Sequence, residues 1–578
     1  MECKQTAQVV LCWHMHQPSY KDASSGEFLF PWVYLHAVKD YADMAAHLEA
    51  HPKARAVVNF APVLLEQIED YLEQIALWEE GGDAIKDPLL RALVAKELPE
   101  AGSAAFMTII EKCLRAHPER IIKRFAPYEK LAGLAEYYRE HPEIQQYLSQ
   151  QFLVDLLVWY HIGWMGEIFR RGDKQIVKLQ EKGRSYSEDD RRVVLKMIFD
   201  ALAGIAPRYR RLAEKGQIEL SVTPYTHPML PLLLDIKSAR ESVPDSPLPN
   251  AQHYPGGEER SRWQLEEARA VFKRFFNLEP AGCWASEGGL SEATVSLLEE
   301  EGFRWTATGD SVLHKSVHKA REQGVTEIDL SGRIHTLYKL RDGNMGLFFR
   351  DDGLSDRIGF NYSDWHAEDA VGDLIHLMEN IRKQSPQSEP CIIPIIMDGE
   401  NAWEFFPENG YYFLDELYRR LSEHSNLHLT TFSDLLEQKG SEATRLPGLV
   451  AGSWIDGTFT TWMGHPDKNR GWDWLCEAKQ HYDEVMAGGK LSAEQARKAS
   501  YQLALCEGSD WFWWFGDDNP AAVVSDFEHL FRRHLVNLYN LIGHPVPAHI
   551  YERLSVGGSN RAPAMGGTMR PGHAMETS

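Results

Sequence analysis

The sequence predicts an α/β fold organised as a TIM-like barrel with a helical insertion and a helical C-terminal region. Three observations carry this. Short apolar runs alternate with long amphipathic stretches from the N-terminus to about residue 435, the pattern of repeated strand-helix units. Two of these runs end in acidic signatures, Gly282-Cys283-Trp284-Ala285-Ser286-Glu287 and 392–397 leading into Asp398-Gly399-Glu400-Asn401. A buried strand that stops at a carboxylate is how an α/β barrel delivers an acid to the mouth of its pocket. Beyond 440–452 the strand signal fades and helical periodicity takes over.

In chain order, strands are expected at 8–13, 56–61, 218–223, 281–285, 305–308, 347–350, 391–397 and 427–431, which is seven or eight strands for a barrel. Between the second and third lies a helical insertion, about 62–215, with apolar residues at helical spacing as in Leu64-Leu65-Glu66-Gln67-Ile68. Pro244, Pro247, Pro249, Pro255, Gly256 and Gly257 exclude regular structure over 242–259 and make it a long loop. Helices at 478–486, 492–507 and 525–542 predict a small bundle packed on the barrel. The domains are therefore a catalytic barrel over 1–438, a C-terminal helical domain over 439–555 that contributes an aromatic loop to the groove, and a tail, 556–578, expected to be disordered.

A formal charge of -23 disfavours nucleic acid and anionic membranes and favours a neutral or cationic substrate. Cys3, Cys12, Cys113, Cys283, Cys391, Cys476 and Cys506 are scattered without a Cys-x-x-Cys pair, as expected of free core thiols in a reducing compartment. The apolar run 9–13 is too short for a signal core or a membrane span, so a soluble, cytoplasmic protein is expected.

His14-Met15-His16-Gln17-Pro18 follows the first strand, and strand geometry turns His14 and His16 to one face and Met15 to the other. Two imidazoles on one wall suit substrate hydroxyls; a second reading is a metal, which needs further ligands that no His or Cys cluster elsewhere supplies. Two carboxylates on different strand ends invite a glycoside-hydrolase reading, one attacking the anomeric carbon and the other protonating the leaving oxygen. Trp284 stands beside Glu287, and Glu400, Asn401 and Trp403 crowd Asp398. Trp454-Ile455-Asp456-Gly457, Trp462-Met463-Gly464-His465 and Trp472-Asp473-Trp474 fall in a Gly- and Asp-rich region read as loop, where rings that stack on sugars are plausible. Glu507-Gly508-Ser509-Asp510-Trp511-Phe512-Trp513-Trp514, at a helix end, reads as packing between the two domains.

Taken together these segments resemble glycoside hydrolase family 57, the family of α-amylases, amylopullulanases, 4-α-glucanotransferases and branching enzymes. Its first motif is similar to His14-Met15-His16-Gln17-Pro18 and its second, loosely, to Gly163-Trp164-Met165-Gly166-Glu167. The third resembles 282–291 with Glu287 at the nucleophile's position. The fourth resembles 397–404 with Asp398 at the acid/base position, and the fifth Ser453-Trp454-Ile455-Asp456-Gly457 with Trp462 downstream. Pro224-Tyr225-Thr226-His227-Pro228 and Tyr254-Pro255-Gly256-Gly257-Glu258-Glu259 are also similar to family segments. The resemblance implies an incomplete seven-stranded (β/α) barrel followed by a helical domain, and a retaining mechanism without metal or cofactor. Within the family the Asp-Gly-Glu-Asn form of the fourth motif is similar to the α-amylase and amylopullulanase branch.

The expectation is double displacement on an α-glucan, with Glu287 as nucleophile and Asp398 as acid/base, their carboxyl groups about 5 to 5.5 Å apart. His14, His16, His227 and Asp456 are assigned to sugar hydroxyls, Trp284, Trp454 and Trp462 to stacking, Glu400 to orienting Asp398 or binding sugar, and Gln17 and Trp164 to the substrate-binding set. The alternatives are a glucanotransferase or branching enzyme with the same carboxylates, a metal-dependent deacetylase or hydrolase using His14 and His16, and a carbohydrate-binding protein without catalysis.

Overall fold

In the computed structural model, which describes residues 6–325, 333–386 and 390–558, the apolar runs become strands. These are β1 (Ala7–Met15), β2 (Ala56–Phe60), β3 (Ile218–Val222), β4 (Trp305–Gly309), β5 (Tyr338–Leu340), β6 (Gly346–Arg350), β7 (Cys391–Asp398), β8 (Leu427–Leu429) and β9 (Thr444–Leu446). The residues of β2, β4 and β6 are buried throughout, as parallel strands covered by helices must be. One sheet runs β3-β2-β1-β7, all parallel, with β8 beside the first residues of β1 where β2 does not reach. The other runs β4-β6-β5-β9.

Two isolated parallel bridges, Val222 with Cys283 and Gly282 with Trp305, carry the first sheet's β3 edge to β4. On the other side the Asp351 N–H donates to the Pro394 carbonyl at 2.8 Å, tying the end of β6 to β7. The expected strand 281–285 is thus reduced to two bridging residues. Its backbone runs so close to Trp305 that a Cβ on Gly282 would lie 1.8 Å from that ring, which leaves no room for a regular ladder. The expected strand 427–431 is shortened to three residues, because the Thr431 hydroxyl already caps the helix Phe432–Lys439 by accepting from the Asp434 N–H. The short strands β5 and β9 carry too few residues for a period-2 signal and were not anticipated.

Helices fill the interval from Pro62 to Glu214, as the periodicity predicts. The longest, Glu188–Glu214, opens on a capping box between Ser187 and Asp190. The loop after residue 242 ends sooner than its composition suggests. Gly256 takes a left-handed turn (φ 60°), and Gly257 begins the helix Gly257–Phe276 with Glu258 and Glu259 in its first turn, where carboxylates favour a helix N-terminus.

C-terminally, the helices Pro466–Ala487, Ala493–Glu507 and Ala521–Ile542 pack on one another, with the short helix Asp510–Trp514 between the last two. Trp472 and Trp474, read from sequence as loop aromatics, are on the first of these helices and buried. Pro466 at its first position and a His465 cap start that helix earlier than the apolar pattern shows, and Trp472 stacks on Phe512 with ring centroids 4.5 Å apart. Cys12, Cys113, Cys283, Cys391, Cys476 and Cys506 are free and buried; Cys3 lies outside the described residues, as does the tail beyond 558. Among the described residues no helix is long and apolar enough to cross a membrane.

Candidate active site

Register across the first sheet assembles one polar row. Ser221 of β3 lies opposite Asn59 of β2, Asn59 opposite His14 of β1, and His14 opposite Asp398 of β7. Because parallel strands place paired residues on the same face, all four side chains meet at one end of the sheet. His14 Nδ1 lies 2.6 Å from Asn59 Oδ1, and the Asn59 amide donates to Ser221 Oγ at 3.0 Å. Met15 turns away against Gly399, and the rings of His14 and His16 stack 5.7 Å apart, as strand alternation predicts.

Glu287 sits in a single 3₁₀ turn with φ at 58°, a left-handed conformation uncommon for a residue with a side chain. The turn aims its carboxylate inward. Trp454 Nε1 donates to Oε2 at 3.2 Å, Ser509 Oγ lies 3.2 Å from Oε1, and His227 Nδ1 is 3.8 Å from Oε1. Burial pushes the Glu287 carboxyl well above its usual range, and the charges of Asp510 and Asp398 push it further, against the two hydrogen bonds.

Asp398 ends β7 and accepts from Asn401 Nδ2 at 2.9 Å. Burial raises it to about 6, opposed by Asn401 and by the charges of His16 and Arg350 and reinforced by Asp510. Burial and the Asp510 charge raise both carboxyls, and the Asp398 charge adds to the rise of Glu287.

His227, also at positive φ (62°), stacks on His16 with centroids 3.9 Å apart, and its Nε2 is 3.2 Å from His14 Nε2. Burial holds the His14 and His227 imidazoles well below their usual value, His14 at about 3. His16 Nε2 is 2.8 Å from Asp510 Oδ1. Among the described residues, His16, His227 and Asp510 bring ligand atoms within 4.8 Å of one another. Their geometry suits hydrogen bonding better than an ion: rings stacked at 19° direct their lone pairs along near-parallel planes instead of toward one point.

The fold agrees with what the chain is similar to. Residues 10–447 match the profile described as Glycosyl hydrolase family 57. The chain belongs to glycosyl hydrolase family 57. Its fold is similar to those of family 57 branching enzymes from Pyrococcus horikoshii (15% identity, TM-score 0.56, 93% of this chain and 89% of that one) and Thermococcus kodakaraensis (15%, 0.56, 98% and 99%). It is also similar to the α-amylase AmyC from Thermotoga maritima (14%, 0.55, 93% and 93%). No protein with a curated description matches the sequence.

In this family 57 chain the remaining expected site residues divide. Trp284 is buried with its ring 5.4 Å from that of Trp454, which is half-buried and also 5.4 Å from the Arg350 guanidinium. Glu400 accepts from the His16 N–H and from Gln17 Nε2, each at 3.4 Å, while the hydrogen bond to Asp398 comes from Asn401. Asp456, at φ 53°, offers its carbonyl to Lys315.

Trp462 is fully buried, with its ring 5.8 Å from Trp513. Trp164 ends the helix Gln150–Trp164, and its ring lies with Trp32, His36 and Tyr160 under the Lys39 ammonium. Glu167 binds Arg124, Arg170 and Arg171 with its side chain fully buried, a structural ion cluster.

Sequence reading missed Asn59, Ser221, Arg350, Ser509 and Asp510, while Asn401, read as crowding Asp398, does bind it. The segment 507–514, read as packing, has both tasks. Trp511 and Phe512 are core, but Ser509 and Asp510 enter the site, because the Ser509 N–H donates to the His227 carbonyl at 2.9 Å and Gly508 bridges Pro228. Buried Glu507 anchors the segment to Arg260, Tyr254 and Gln264. Its signal was the polar Glu-Gly-Ser-Asp interrupting an apolar helix end.

Proposed function

We propose that this chain is a retaining glycosidase acting on α-1,4-glucans such as starch, glycogen or maltooligosaccharides, with α-1,6 bonds as a further substrate. Glu287 attacks the anomeric carbon, and Asp398 protonates the departing glycosidic oxygen and then serves as base for the incoming water. The single observation that supports this best is that two buried carboxyls, Glu287 and Asp398, are both raised by burial beside a wall of imidazoles, with the Asp398 charge raising Glu287 further. One proton shared by such a pair supplies an acid and a nucleophile together. Trp454 and Ser509 favour the ionised form of Glu287 against the burial that raises it, and the nucleophile's role requires that form, with the proton on Asp398.

Sugar hydroxyls would meet buried polar atoms that have no partner within the protein: His16 Nδ1, Trp284 Nε1, Asn401 Oδ1, Asp510 Oδ2, Glu400 Oε2 and Trp462 Nε1. Each is costly to bury unpaired, so a ligand rich in hydroxyls gains by satisfying them. We read the two linked sheets as the incomplete seven-stranded barrel, with 439–555 as the helical domain, and the free thiols as suited to a reducing, cytoplasmic setting.

Glu287→Gln should abolish turnover of maltooligosaccharides while their binding persists. Near-normal activity in that variant would remove the proposal. Product analysis on maltooligosaccharides, pullulan and glycogen then separates hydrolysis, seen as small sugars, from transfer, seen as redistributed chain lengths, and from branching, seen as new α-1,6 linkages.

A further inference from the structure

A continuous run of buried polar groups leads from Glu287 into the sheet. Glu287 Oε1 is 3.2 Å from Ser509 Oγ, Ser509 Oγ 2.8 Å from His227 Nδ1, His227 Nε2 3.2 Å from His14 Nε2, and His14 Nδ1 2.6 Å from Asn59 Oδ1. Ser509 and Asn59 are completely buried, and His14 and His227 nearly so. We propose that Ser509 is a positioning residue for Glu287, acting as the head of a hydrogen-bond relay, Ser509–His227–His14–Asn59, whose polarity decides whether the carboxyl receives a hydrogen bond or gives one. The proposal rests on the reading of Glu287 as nucleophile.

Proton counting carries the argument. Each link needs one hydrogen, and a neutral imidazole has one N–H and one lone pair, so fixing the direction of any link fixes all of them. If Glu287 is ionised it only accepts. Ser509 then spends its single hydrogen on Glu287 and must accept from His227 Nδ1–H. His227 Nε2 accepts from His14 Nε2–H, and His14 Nδ1 needs a donor from Asn59. If Glu287 carries its proton on Oε1 every direction reverses, and His14 Nδ1–H points at an oxygen of Asn59.

The Asn59 carboxamide serves both directions by turning over. With its oxygen toward His14, its NH₂ donates to Ser221 Oγ and Thr223 Oγ1 can donate to that oxygen at 2.8 Å. With its NH₂ toward His14, Ser221 and Thr223 still find partners, since Thr223 Oγ1 also reaches the Trp284 carbonyl at 2.9 Å. Neither direction leaves a buried group unpaired.

Neutral imidazoles are required, and burial together with the mutual repulsion of His14, His16 and His227 keeps them so. The charged or titratable groups facing Glu287 from other elements are Asp398, Asp510 and His227. None of these gives it a hydrogen bond, which leaves Ser509 and Trp454 as its donors.

The test is the pH dependence of kcat/KM on a maltooligosaccharide for Ser509→Ala, Ser509→Thr and Asn59→Leu, with folding checked by thermal unfolding. Losing one hydrogen bond to a charged group should lower kcat/KM about tenfold to a hundredfold in Ser509→Ala. It should also move the acidic limb up by about one pH unit, because an unassisted Glu287 holds its proton longer. Ser509→Thr, which keeps the hydroxyl, should restore both. Asn59→Leu, which takes a partner from both directions alike, should lower kcat/KM with less movement of the limb than Ser509→Ala.

A folded Ser509→Ala enzyme whose rate falls without movement of the limb would overturn the relay. If Asn59→Leu does not fold, the Ser509 pair alone decides. If the wild type turns over no α-glucan, the glycosidase reading fails by itself. The infrared C=O band of protonated Glu287, identified by its absence in Glu287→Gln, then reads the relay directly, and an unchanged titration of that band in Ser509→Ala would sink it.

Discussion

Trp454 binds Glu287 twice: its indole N–H donates to Oε2 at 3.2 Å and its backbone N–H donates to the Glu287 carbonyl at 3.1 Å. The second bond holds the left-handed turn in which Glu287 sits, and the first holds its carboxylate. One residue from the segment after the second sheet therefore fixes both the backbone and the charge of the proposed nucleophile.

Replacing Trp454 by Phe keeps the ring and removes the side-chain donor. The hydrogen bond favours the ionised form of Glu287, so its loss raises that group and moves the acidic limb of kcat/KM to higher pH. A fall in kcat of about tenfold or more is expected for a lost hydrogen bond to a charged group. A pH-rate profile on maltooligosaccharides checks it; an unmoved acidic limb would show that the indole acts only by stacking.

Asp510→Asn should shift the whole pH profile toward acid. The Asp510 charge raises both Glu287 and Asp398, so its removal lowers both. Glu287 then ionises at lower pH, and Asp398, held at about 6, loses its proton earlier. Both limbs move the same way, which distinguishes a charge effect from a general loss of activity.

Arg260→Ala should be strongly destabilising. Arg260 Nε and Nη2 donate to both oxygens of Glu507 at 2.8 and 3.0 Å with both side chains buried, and removing one partner of such a pair costs about 3–5 kcal/mol. Denaturant titration measures this. Activity should fall at temperatures where the variant is still folded, because Glu507 anchors the segment that carries Ser509 and Asp510.

Gly282→Ala tests the seam between the two sheets. A methyl at this position meets the Trp305 ring, which is itself held by Nε1 donating to Glu219 at 2.7 Å and cannot swing away freely. A loss of about 1–3 kcal/mol or more is expected from overpacking, read as a lower unfolding midpoint. A neutral result would mean that the 282–283 segment is looser than its bridges indicate.

Much of this protein was legible from its residues in order. Periodicity located the long strands, since β1, β2, β3 and β7 are runs whose neighbours along the chain are equally buried. Glu287, Asp398, His14 and His16 could be singled out because each closes such a run with a polar group that a strand end must place somewhere. Segment 281–285 read as a strand because composition does not record that Trp305 occupies the space beside Gly282. Trp472 and Trp474 read as loop because a Pro-initiated helix shows no apolar periodicity in its first turn.

The sequence by itself determined the family, the strand-end acids and the pair of histidines, all of which are local patterns. Only the tertiary structure decided that Asn59, Ser509 and Asp510 belong with them. Asn59 enters through strand register, and Ser509 and Asp510 through a helix end more than two hundred residues beyond Glu287 and Trp284 in the chain's packing order, joined to His227 by a backbone hydrogen bond. Register and the docking of distant elements are set by the complementarity of whole surfaces, and no short window of sequence contains that information.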